Sequence, residues 1–134
     1  MTQKDIELLL IDLSARLPYG VICQVDDGAA GLNDGKLVEV DVSKELVRFD
    51  ADVNCFWLAF IDDVKPYLRP LSSMTEEEKK ECLNFAWKDD YGRLASYDEN
   101  IPKFIDWLNA HHFDYRGLIE KNLALDCTGL HIYD

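Results

Sequence analysis

The spacing of apolar residues changes from helical to alternating near residue 20, and this switch limits the fold more than any other feature. Before it, Ile6, Leu9, Leu10, Leu13 and Leu17 recur at a period of about 3.6. Thr2 followed by Asp5 makes a capping box with Asp in place of Glu, and Pro18-Tyr19-Gly20 stops the pattern. The spacing predicts an amphipathic helix over 3–16. After the switch, Val21, Cys23 and Val25 alternate with Ile22 and Gln24, and Val38, Val40 and Val42 alternate with Glu39 and Asp41. Residues 46–49 and 55–60 form two more apolar runs joined by short polar turns. One helical turn is expected at 61–64. Pro66 and Pro70 then hold 65–71 extended.

These runs predict five short antiparallel strands over 21–71, closed into a small barrel. The order of elements resembles the SH3-like barrel, with the glycine-rich stretch 26–35 in the place of its long first loop. No SH3 signature sequence accompanies the order, so it implies a fold and no ligand class. Thr75 with Glu78 is a second capping box, and it predicts a helix over 76–88. A polar loop follows. Asn100 and Pro102 open a helix carrying Phe104, Ile105, Leu108 and His111, and a short fourth helix is expected at 115–121. The expected fold is α+β and a single unit over residues 1–134. It comprises an N-terminal helix (1–17), a five-stranded antiparallel SH3-like barrel (21–71) and a C-terminal extension of three helices (75–134).

Charge narrows the function. The chain of 134 residues has a formal net charge of -12. The excess is even, since residues 1–71 and 72–134 each carry 13 acids and 7 bases. Phosphate binding needs clustered Lys and Arg, so direct nucleic-acid binding is disfavoured, as is an anionic membrane surface. Four cysteines at 23, 55, 82 and 127 form no CxxC pair. Together with a helix start broken by Asp5, Glu7 and Asp12, they point to a reduced, cytoplasmic setting without a membrane span.

Adjacent histidines in WLNAHHFDYRGLIEKN, residues 107–122, raise the question of a catalytic or metal cluster. Each residue there also has a structural use. His111 and His112 close one helix, where its dipole favours positive charge. Asp114 can cap the next, with Phe113 and Leu118 as a hydrophobic staple. Helix neighbours point about 100° apart, so the two histidines are poorly placed to share a metal. An enzyme reading rests on His111, Asp114 and Tyr115. DADVNC begins like a calcium loop but places Cys55 where Gly is needed and Ile61 where Glu is needed. DDGAAGLNDG lacks the GK[ST] of a phosphate loop. Cys127 and His131 lack a second ligand pair for zinc. No cofactor is expected.

Aromatics are the stronger lead. Alternation puts Phe56, Leu58 and Phe60 on one face of a strand and Cys55, Trp57 and Ala59 on the other. If the first face is core, Trp57 is either exposed or packed beneath an added helix. A recognition patch of Tyr19, Trp57, Tyr67 and Arg69 would combine aromatic area with a charged fork. Finally, KPYLRPLSSMTEEEK (65–79) and WLNAHHFDYRGLIEKNLAL (107–125) resemble segments of small uncharacterised proteins of gut Bacteroides-type bacteria, their phages and mobile elements. That resemblance implies an accessory protein and no activity. The expected function is a non-catalytic binding or adaptor module with an unidentified protein partner. The alternative is an acidic accessory protein that occupies a DNA-binding site on a host protein.

Overall fold

The structure, a computed structural model, describes residues 1–52, 55–88, 94–96 and 100–134; side chains at 30, 51–52, 55–57, 86–88 and 94–96 are not described. Helix α1 spans Gln3–Arg16. The Thr2 hydroxyl accepts from the Asp5 amide and the Asp5 carboxylate accepts from the Thr2 amide, so both halves of the expected capping box form. Pro18 enters a 3-10 turn over Leu17–Tyr19, and Gly20 leaves it at φ 69°, a left-handed conformation glycine adopts without strain.

Strands β1 (Ile22–Asp26), β2 (Leu32–Asp41), β3 (Leu46–Asp52), β4 (Cys55–Phe60) and β5 (Val64–Leu68) follow in sequence. The last is β8 (Leu125–Asp126), and the sheet order is β4-β3-β2-β1-β5-β8. Four neighbour pairs are antiparallel, but β8 runs parallel to β5 through Tyr67↔Leu125 and Leu68↔Asp126. The expected five-stranded antiparallel SH3-like barrel is therefore replaced by a six-stranded mixed sheet. Among the described residues no pairing joins β4 back to β5, so the sheet does not close into a barrel. The expected long loop 26–35 is also absent. Residues 32–35 join β2 opposite β1, leaving a tight connection in which the Asp27 amide donates to Gly31 O at 2.9 Å.

The C-terminal extension departs from three helices as well. Helix α2 covers Glu76–Cys82 only, and Ala86–Lys88 (β6) pairs with Leu94–Ser96 (β7) as a hairpin in place of helix end and loop. Helix α3 covers Ile101–Ala110. Residues 115–121 form turns, because the Asp114 carboxylate takes the amides of Leu118 (2.9 Å) and Ile119 (3.0 Å) directly while Gly117 turns left-handed at φ 74°. The staple residues Phe113 and Leu118 are nonetheless both fully buried.

The core lies between α1 and the sheet. Leu9 and Leu13 of α1 share one buried cluster with Val21 just before β1, with Cys23, Leu37, Val47, Phe49 and Leu68 from the strands, and with Leu118 and Leu123 from the C-terminal segment. Burial of a leucine contributes roughly 2 kcal/mol, so the α1 stripe ties the helix to the sheet. Asp12 and Arg16 lie on the same buried face.

Candidate functional site

Two surface features stand out: a cleft at the histidine corner and the outer edge of β4. The corner cleft, about 520 Å³, is walled by Arg69, Glu78, His111, His112, Cys127 and Tyr133, among others. Arg69 donates twice to Glu78, Nη1 to Oε2 and Nη2 to Oε1, both at 2.7 Å. That fork, with the Thr75 amide, pushes the Glu78 carboxyl down to about 2. His111 Nδ1 stands 3.2 Å from Glu78 Oε2, and the Arg69 guanidinium lies 4.3 Å from the centre of the Phe113 ring. His112 occupies a left-handed backbone position at φ 62° and stacks on Tyr133 at 3.6 Å. Tyr133 holds the C-terminal segment on the sheet. Its hydroxyl donates to Tyr67 O at 2.8 Å and accepts from the Ile22 amide at 2.9 Å.

The charges in this cleft satisfy one another. Burial raises the Cys127 thiol away from the reactive thiolate. Among the described residues no group of three His, Cys, Asp or Glu side chains is arranged to hold a metal ion. The suggested trio of His111, Asp114 and Tyr115 is not brought together for chemistry. His111 faces the cleft, Asp114 spends its carboxylate on two backbone amides, and the Tyr115 hydroxyl donates to Asn109 Oδ1 at 2.9 Å.

The suggested aromatic patch is dispersed too. Tyr67 is buried, donating to Asp34 Oδ1 at 2.9 Å and accepting from Gln24 Nε2 at 3.3 Å. Tyr19 is half-buried, and partial burial followed by the nearby negative charge of Asp106 raises its hydroxyl above the ordinary value. Arg69 belongs to the histidine corner. The Trp57 side chain lies outside the described residues, although its backbone pairs with Phe49.

The β4 edge differs in kind. Leu58 is 63% exposed and Phe60 64%, while Ala59 packs against the core. The face carrying Leu58 and Phe60 is thus the wet one, the reverse of a core-facing assignment. The backbone pattern agrees. The Ile61 amide donates to Glu45 O at 3.0 Å, which makes that pair a hydrogen-bonded one across β3 and β4. Alternation then turns the N–H and C=O of Ala59 toward β3, and those of Leu58 and Phe60 away from it, toward the outer edge. The sequence signal for this edge was present in CFWLAF, an apolar run without charge or proline. The signal for the corner was weaker, because Glu78 reads locally as a capping residue only.

No described helix is long and apolar enough to cross a membrane. No family model, curated protein or solved structure matches the chain, so the function of these surfaces is argued from their geometry.

Proposed function

We propose that this chain is a non-catalytic protein-binding module whose contact surface is the outer edge of β4, used by strand addition. One observation carries the reading. β4 ends the sheet with an uncharged six-residue run that directs Leu58 and Phe60, side chains and backbone groups alike, outward. Edge strands are ordinarily blunted by charge, proline, shortness or a covering element, because an open apolar edge templates pairing with another chain. Here none of the first three devices is present in Cys55–Phe60. An added strand would gain main-chain hydrogen bonds at Leu58 and Phe60 and cover their apolar area. The accessory-protein origin implied by 65–79 and 107–125 is part of the same proposal, since such a protein acts by engaging another.

Random decapeptides displayed on phage and selected against the folded protein test the reading. Wild type should retain bound peptides. The Leu58→Lys/Phe60→Lys double variant should recover about tenfold fewer, with an unchanged melting temperature because both positions are exposed. Equal recovery from the two proteins would remove the edge as the binding surface.

A further inference from the structure

Beside the edge of β4 lies a second cleft, about 380 Å³, whose lining includes Leu58, Ala59 and Phe60. Consecutive residues of a strand point to opposite faces, so a cleft touching all three opens along the strand edge. The rest of its lining comes from the far end of β1, the start of β2 and the turn before β5, and includes Asp26, Asp27 and Asp63. All three are exposed, and among the described residues no lysine, arginine or histidine lines the cleft. Asp26 Oδ1 accepts from the Gly28 amide at 3.0 Å, a bond that leaves its charge uncompensated. The cleft is thus a seam along the open edge of β4 whose lining combines apolar and acidic side chains.

We infer that the occupant of the seam is an extended segment of another protein in which a lysine or arginine accompanies the apolar residues that cover Leu58 and Phe60. This inference rests on the strand-addition reading and adds the partner's chemistry to it. A long basic side chain suits both parts of this lining at once. Its methylene stem packs along Leu58 and Phe60, its charge reaches the carboxylates, and the Phe60 ring face attracts the cation as well. Charge complementarity also argues against a second copy of this chain as occupant. Pairing β4 with β4 would bring two acidic seams together in molecules of net charge -12 each. An acidic protein of this kind engages a basic surface on its partner, in keeping with the charge balance of the whole sequence.

Sequencing the peptides that wild type retains, then measuring the affinity of the most enriched one, tests the inference. Lysine or arginine should be enriched at one position relative to the unselected library. The enriched peptide should bind about five- to tenfold more weakly to an Asp27→Asn/Asp63→Asn variant, and more weakly to wild type at high salt. Replacing its basic residue by glutamine should produce the same loss. Retained peptides without basic enrichment, or an affinity indifferent to the two aspartates, would overturn this inference and leave strand addition standing. Equal recovery by wild type and the Leu58→Lys/Phe60→Lys variant would overturn both. A protein dimer in sedimentation that this double lysine variant dissociates would make a second copy the occupant and overturn the inference.

Discussion

Asp12→Ala should destabilise the protein by about 3–5 kcal/mol, the usual result of leaving a buried charge without its partner. Asp12 and Arg16 both have fully buried side chains. Arg16 Nε donates to Asp12 Oδ2 at 2.8 Å, and Nη2 donates to Asp12 Oδ1 at 3.2 Å and to Phe113 O at 2.7 Å. Arg116 Nε also reaches Asp12 Oδ1 at 3.2 Å. One carboxylate is thus shared between one sealed guanidinium and one partly exposed one. The Arg16 contact with Phe113 O ties α1 to the segment after α3, a link across 97 positions. Removing Asp12 leaves Arg16 buried where its Nη1 already lacks a hydrogen-bond partner among the described residues. Denaturant titration of wild type and variant measures the effect. The control is Asp12→Leu/Arg16→Met, which should regain most of the loss because an apolar pair of similar volume avoids the desolvation of both charges. A loss below about 1 kcal/mol in Asp12→Ala would mean that water reaches the pair.

Acid should weaken the fold through His112. Burial first, and then the positive Arg16 nearby, push this ring down to about 4 from an ordinary 6.5. Between those two values the folded state binds fewer protons than the unfolded chain. Stability therefore falls as pH drops from about 6.5 to about 4, by up to roughly 3 kcal/mol from this one group. His112 Nδ1 is sealed and has no hydrogen-bond partner among the described residues, so a proton added there would meet no acceptor among them. His112→Asn is the informative variant, since asparagine tolerates the left-handed backbone at φ 62° and carries no charge. It should start less stable, because the stack on Tyr133 is lost, yet change less across this pH window. Glu78 also responds to acid. Its lowered value means that its contribution is lost between about 4.5 and about 2, mostly below the His112 window. Melting curves at several pH values that fall in parallel for wild type and His112→Asn would refute the assignment.

Sequence alone determined the features set within a few residues. The start and end of α1, the capping boxes at Thr2/Asp5 and Thr75/Glu78, the approximate positions of β1, β3, β4 and β5, and the second half of β2 follow from periodicity and capping, whereas the first half of β2 reads locally as a glycine-rich loop. These are contacts over three or four residues, or alternation along one strand, and the residues that make them are neighbours in the chain. Part of the candidate site was legible in the same way, since CFWLAF reads as an uncharged strand with Leu58 and Phe60 on one face. Which face was wet was not legible, because alternation gives two faces and only packing against α1 chooses between them. The tertiary structure alone decided that Ala59 turns inward, that β8 returns parallel to β5 from 58 residues away, and that the sheet stops short of closing. It also placed Asp12 and Arg16 inside, where the sequence reads Asp12 only as a charge that interrupts the apolar run of α1. Closure of a sheet and burial of a charge depend on partners scores of positions away. No local pattern encodes whether those partners arrive.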